Sequence, residues 1–240
     1  MANYPRTLSL IRHAQSAGNV ANDAALRDGL HELDLAQRDM DVPLSELGES
    51  QADALGAWFA AHEAPAVVLC SPYKRAVDTA AGAMRAAGVD APVRLDERLR
   101  EREFGVLDRL TKVGIEARYP DQAAARAFLG KFFHRPPGGE SWSDVAGRVR
   151  GVVTDLRLDY GDRDVVIVTH QAVIMLFRYV LDGLTEAELL ELDGANQIAN
   201  TAVTAYAAAD GAMQLTVFND TSHLPSEDTT AASDRAVAPR

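Results

Sequence analysis

The sequence predicts an α/β protein: three layers, helix on sheet on helix, around a mixed, mainly parallel central sheet with a C-terminal antiparallel hairpin. Three observations predict it. Apolar runs suited to buried strands at 7–11, 66–70 and 165–169 alternate with stretches of helical apolar spacing, as in a parallel sheet covered on both faces. The last two apolar runs, 201–207 and 213–219, are joined only by a tight turn at Ala209-Asp210-Gly211, which makes them a hairpin. The 240 residues, 47% apolar and 25% charged, have the composition of a globular protein with a sizeable core.

In chain order, residues 7–11 form the opening strand. The polar stretch 15–41, with Gly18, Asn19 and Gly29, reads as a loop beside the strand end, carrying a short helix at 22–27. Pro43 and the N-cap Ser45 start the next helix, in which Leu47, Ala54, Leu55, Trp58 and Phe59 recur until about His62. Strand 66–70 leads into a helix over 73–87 that Gly88 stops, and 93–96 is a short third strand. Residues 105–140 are less regular, helical near 113–118 and 123–133 and closed by Pro136-Pro137-Gly138-Gly139. A long amphipathic helix over 141–158 precedes strand 165–169, and another helix runs over 170–181. Residues 221–240 are rich in Ser, Thr, Asp, Pro and Ala without periodicity, which predicts a disordered tail. The expected organisation is one domain over 1–220, with 105–140 covering the active site.

Bulk properties remove several classes of function. A net charge of −11 argues against a nucleic-acid surface, which would need Lys/Arg patches. One cysteine excludes an intrachain disulfide framework and fits a reducing compartment. Residues 1–6 are polar, and the apolar run after them is too short for a signal-peptide core. No run approaches the roughly 18 apolar residues of a membrane span. The expectation is a cytoplasmic protein with neither nucleic acid nor membrane as partner.

The chemistry concentrates at strand ends. Arg12-His13 closes the first strand, and His170 follows directly on 165–169. Ligands of open α/β sheets bind outside the carboxyl ends of the strands, so the two histidines are expected to meet. An imidazole beside an arginine suits chemistry on an anion, most simply a phosphate. Phosphoryl transfer to histidine needs a neutral imidazole, cations around the phosphate oxygens, and a carboxylic acid to protonate the leaving alkoxide. The chain supplies such residues after each strand: Arg12 and His13, then 71–75 with Arg75, then 98–103 with Glu101 and Glu103, then His170. A thiol enzyme built on Cys70 is the rival, but the four residues 71–74 between Cys70 and Arg75 make too short a loop to close around phosphate.

These strings together resemble the histidine phosphatase superfamily, which includes cofactor-dependent phosphoglycerate mutases. The resemblance is carried by Leu10-Ile11-Arg12-His13-Ala14-Gln15-Ser16 with Asn19, by Pro43 to Ala52, and by Ser71-Pro72-Tyr73-Lys74-Arg75-Ala76. Glu101-Arg102-Glu103-Phe104-Gly105, Pro137-Gly138-Gly139-Glu140-Ser141 and Val168-Thr169-His170 complete it, so that it runs to about Phe218. It implies that His13 is the phosphorylated nucleophile, that Arg12, Arg75 and His170 surround the phosphate, that Asn19 binds a phosphate oxygen, and that Glu101 is the proton donor, with Glu103 the substitute. Ala14 stands where the family often has glycine. No cofactor or metal is implied, since guanidinium groups supply the positive charge.

The expected activity is a metal-independent phosphomonoesterase acting on a small-molecule phosphate ester through a phosphohistidine on His13, of the histidine acid phosphatase kind. Two alternatives stand beside it. A phosphoglycerate mutase would use Lys112, but the adjacent arginines expected further on are replaced by Phe132-Phe133-His134-Arg135-Pro136. A non-catalytic phospholigand-binding module would need neither His13 nor Glu101. Arg109, Lys112 and His134 are candidate contacts to the non-phosphate end; His31, His62 and His223 read as surface or packing residues. Phe128, Phe132, Phe133 and Trp142 suggest a greasy cover and a small or moderately hydrophobic ester. The partners expected are that ester and, at most, a second copy of the chain.

Overall fold

The computed structural model describes residues 3–231. Six strands form one sheet: β1 (Thr7–Arg12), β2 (Val67–Cys70), β3 (Val93–Leu95), β4 (Asp164–Thr169), β5 (Val203–Ala209) and β6 (Ala212–Asp220). Their spatial order is β3-β2-β4-β1-β5-β6. The first four strands in that order run parallel, with Leu10 opposite Ile167 and Leu69 opposite the same residue on the other side. β5 lies antiparallel to β1, and β6 antiparallel to β5. The hairpin turns on Asp210 and Gly211, both at positive φ (51° and 79°), as a two-residue primed turn requires.

Strand alternation sorts the side chains into two cores. Leu8, Leu10, Val165 and Ile167 face a layer built from α6 (Trp142–Asp159), α7 (Gln171–Leu181) and α8 (Glu186–Ala195). Ile11, Val68, Cys70, Val166 and Val168 face α2 (Glu46–Ala60) and α3 (Lys74–Ala87). The three-layer architecture follows, and the strands read as near-continuous apolar runs because both faces are covered.

Caps set the helix starts. Ser45 Oγ accepts from Gly48 N (3.0 Å), a bond of the kind that stabilises a helix by about 1 kcal/mol. The first helix, α1 (Ala17–Arg27), begins five residues earlier than its apolar pattern suggests, because Ser16 and Asn19 form a capping box. Helix α8 was not expected: it buries only Leu189 and has no apolar stripe, although Thr185 and Glu188 form a capping box at its start. Gly48 has a packing reason: a Cβ there would stand 1.9 Å from Gln15 O.

The segment 105–140 holds α4 (Lys112–Arg118) and α5 (Pro120–Phe133), which breaks at Gly130 (φ 78°). A small cluster of Phe104, Leu107, Leu110 and Ile115 anchors it. It is tied to the 30–33 stretch by the Glu32–Leu110 bridge and by Thr111 N donating to His31 O (3.1 Å). The greasy cover is not what forms. Phe132 and Trp142 belong to the main core, while Phe128 is 89% exposed, because the Gly130 break turns the preceding helix outward from that core.

The tail also departs from expectation. Residues 221–231 carry a 3-10 turn at Ser226–Asp228 and hydrogen-bond back to the domain through Asp228 and Thr230, so a polar composition here serves fixed hydrogen bonds. The rest of the expected disordered stretch, 232–240, lies outside the described residues. Among the described residues no helix is long and apolar enough to cross a membrane.

Candidate active site

The parallel strands β1, β2, β3 and β4 end at one edge of the sheet, and α3 and α7 begin there, immediately after β2 and β4. Two helix N-termini thus open on the edge that carries Arg12, His13 and His170, an arrangement favourable to an anion. His13 N donates to Thr169 O (2.9 Å), which joins the ends of β1 and β4. The rings of His13 and His170 consequently lie 5.0 Å apart at 59°. Both histidines are fully buried.

The protonation of His13 can be read from its neighbours. Nδ1 lies 2.7 Å from Ala14 O, a carbonyl that only accepts, so Nδ1 carries the proton. Nε2 lies 3.3 Å from Arg75 Nε, which only donates, so Nε2 presents a lone pair. Arg75, in the first turn of α3, is 3% exposed. Its far end donates to Asp39 O (2.7 Å) and pairs with the Asp39 carboxylate (3.3 Å). The Nε side of the guanidinium therefore faces His13 while the other edge is anchored.

Other side chains complete the surroundings. His170 Nε2 is bonded to Ser71 Oγ (2.8 Å). Tyr73 stands edge-on to His170 (5.2 Å between centroids), carries Arg75 over its ring, and donates its hydroxyl to Glu103. Burial, then the bond to Glu103, pushes the Tyr73 phenol well above its ordinary range. Arg12 is fully buried and donates to Ile198 O. Ala14 N donates to Thr79 Oγ1 (2.9 Å), and Asn200 Nδ2 donates to His13 O (2.9 Å).

The structure therefore brings His13, Arg75 and His170 together, with Arg12 next to His13 in the chain and its buried guanidinium bonded to Ile198 O. Asn19 lies just behind, buried, with Oδ1 accepting from Ser16 N (3.0 Å) in the capping box. Glu101 lies in the loop after β3, 2% exposed, its carboxylate accepting from Arg102 N (2.8 Å). That loop is tied beside His170, since Thr169 Oγ1 donates to Leu99 O (2.7 Å).

The expected substrate contacts are placed differently. Arg109 donates to Leu35 O (2.9 Å) and tethers the 30–35 loop, while Lys112 pairs with Glu116 on the surface of α4 (3.8 Å). None of their contacts reaches the histidine pair. His134 is 2% exposed, with neither ring nitrogen hydrogen-bonded. Its pKa is lowered by burial and by the charges of Arg102 and Arg126.

Sequence reasoning quoted Ser71 and Gln51 only as parts of longer strings and gave no role to them or to Asp39, Thr79 and Asn200. Asn200 had a signal: β5 runs antiparallel beside β1, so the residues just before it had to arrive next to the end of β1. Asp39, in an irregular loop, had none. Among the described residues no group of three or more His, Cys, Asp or Glu is arranged to hold a metal ion.

The chain resembles known proteins along most of its length. A glucosyl-3-phosphoglycerate phosphatase of Mycobacterium tuberculosis is 33% identical over 197 residues, covering 79% of this chain and 81% of that protein. A bifunctional protein of the same species is 36% identical over 183 residues; these are 75% of this chain but 48% of its length, so the chain spans about half of that relative. A solved mycobacterial glucosyl-3-phosphoglycerate phosphatase bound to inorganic phosphate superposes with a TM-score of 0.70 at 29% identity, covering 92% of this chain and 100% of that one. The profile of the histidine phosphatase superfamily, branch 1, matches residues 8–221, and the chain belongs to that superfamily.

Proposed function

We propose that the protein is a phosphomonoester hydrolase that works through a phosphohistidine on His13. One observation carries the reading: the Nδ1–H of His13 is committed to Ala14 O, so Nε2 keeps its lone pair and directs it at the Arg75 guanidinium, the group that would hold a phosphate. A phosphoryl group held by that guanidinium, by Arg12 and by His170 would stand in line for attack.

In the first step the Nε2 lone pair forms the N–P bond while the ester P–O bond breaks, and Glu101 gives its proton to the leaving alkoxide. In the second, water attacks the phosphohistidine, the N–P bond breaks, and the Glu101 carboxylate takes the water's proton. Inorganic phosphate leaves and the starting state returns. The guanidinium groups absorb charge on the equatorial oxygens in both steps. The likeness to glucosyl-3-phosphoglycerate phosphatases supports an ester bearing further polar groups.

The test is a rapid quench at alkaline pH with an aryl phosphate labelled on phosphorus. Label on His13 in the wild type, and no label or turnover in His13→Ala, is expected. Label on another residue, or turnover in His13→Ala, would overturn the reading. Isomerisation of 3-phosphoglycerate without release of inorganic phosphate would point to a mutase instead.

A further inference from the structure

Residues 221–231 lie across the back of the loop that presents His13. Thr230 is bonded three times: its carbonyl accepts from Asn200 N (2.8 Å), its hydroxyl donates to Asn200 Oδ1 (2.9 Å), and the same hydroxyl accepts from Gln51 Nε2 (3.0 Å). Gln51 Nε2 also donates to Asp228 O (2.7 Å). Both carboxamides are buried and reach the nucleophile loop with their other ends. Asn200 Nδ2 donates to His13 O (2.9 Å), and Gln51 Oε1 accepts from Gln15 N (2.8 Å).

The peptide plane joining Ala14 to Gln15 is the one that matters. Its N–H is held by Gln51, and its carbonyl, Ala14 O, is the acceptor that fixes the proton on His13 Nδ1. A carboxamide has distinct donor and acceptor ends, and Thr230 and Asp228 dictate which way Gln51 faces. The chain of dependence runs from the Thr230 hydroxyl through Gln51 to the 14–15 peptide, and from there to the tautomer of His13. Asn200 supplies a parallel link to His13 O.

We infer that Thr230, acting through Gln51 and Asn200, is a positioning residue for His13, and that the segment 221–231 is a working part of the site. This rests on His13 being the nucleophile. It gives residues 221–231 a role that their composition does not suggest: they hold the proton on the ring nitrogen that does not react. Removing the hydroxyl leaves two buried carboxamides incompletely bonded, a state relieved by rotation away from the loop.

The experiment compares full-length wild type, Thr230→Val, Thr230→Ser and His13→Ala on an aryl phosphate, together with 15N spectra of histidine-labelled protein. Thr230→Val is expected to lower kcat by about ten- to a hundredfold, the scale of a small misplacement of a reacting group, with KM within about threefold. The His13 signals should move from one tautomer toward a mixture. Thr230→Ser keeps the hydroxyl and should restore both. A wild-type kcat or an unchanged His13 tautomer in Thr230→Val overturns the inference, whereas an active His13→Ala overturns the proposed function instead. Should Thr230→Val not fold, a stop codon after Pro225 removes Asp228 and Thr230 together and carries the same expectation. Failure of both to fold also overturns it, since the segment would then be holding the fold together rather than the loop.

Discussion

Replacing Arg75 by alanine should do two kinds of damage, and a second substitution separates them. The first is the loss of a donor aimed at the reacting atoms, Nε at 3.3 Å from His13 Nε2. Removing one preorganised donor to developing charge costs about 2.7–4 kcal/mol, or roughly a hundred- to a thousandfold in turnover. The second arises from Asp39, whose carboxylate pairs with Arg75 at 3.3 Å and is 20% exposed on its side chain. Without the arginine its carboxylate loses this cationic partner beside the place the phosphate would take. Across the width of a guanidinium, roughly 7 Å, it repels each unit of phosphate charge by about 2 kcal/mol at an effective dielectric of about 20. Its partial exposure reduces that, so Asp39→Asn added to Arg75→Ala should recover about tenfold in kcat/KM. In the wild-type background the same Asp39→Asn should slow the enzyme severalfold, because Arg75 loses its anchor. Asp39→Asn therefore changes sign between backgrounds. The assay is steady-state hydrolysis of an aryl phosphate by the four proteins, with thermal melts to confirm folding. Near-wild-type turnover in Arg75→Ala, or the same effect of Asp39→Asn in both backgrounds, would refute the reasoning.

Two further outcomes are expected. Burial pushes the Cys70 thiol up to about 12, so at neutral pH iodoacetamide should leave both activity and Cys70 untouched; rapid inactivation would restore the thiol reading. His134 is the other. Its pKa is lowered from 6.5 in the fold, so below that value the unfolded chain binds a proton that the folded one does not. Above 6.5 the group is neutral in both states and costs nothing; as pH falls, the fold loses stability until His134 itself titrates. Thermal melts between about pH 7.5 and 5.5 should therefore show a shallower decline for His134→Phe than for the wild type, and identical slopes would contradict it.

The strands and the meeting of His13 with His170 were legible because both rest on local rules: an apolar run marks a buried strand, and ligands gather at strand ends. Helix α8 was not legible, since a helix that buries only Leu189 has no apolar period to read. The 105–140 segment misled, as its phenylalanines look alike in sequence while the break at Gly130 sends Phe132 into the core and leaves Phe128 in solvent. Asp39, Gln51 and Thr230 were hidden for a different reason. Each acts through hydrogen bonds to residues far along the chain, and polar side chains in loops carry no periodic signature of such pairing.

The place of β1 in the sheet has a consequence for how the protein comes into being. Its neighbours are β4 and β5, so Thr7 pairs with Asp164 on one side and Ala207 on the other. Contacts of such long range make for slow folding, because loop closure must precede the pairing that rewards it. A nascent chain that has emerged only through α3 or α5 has β1 with both edges unsatisfied and no pocket at all. Synthesis must pass residue 209 before the loop of His13 has both its neighbouring strands, which leaves the half-made protein dependent on protection from aggregation until the hairpin arrives.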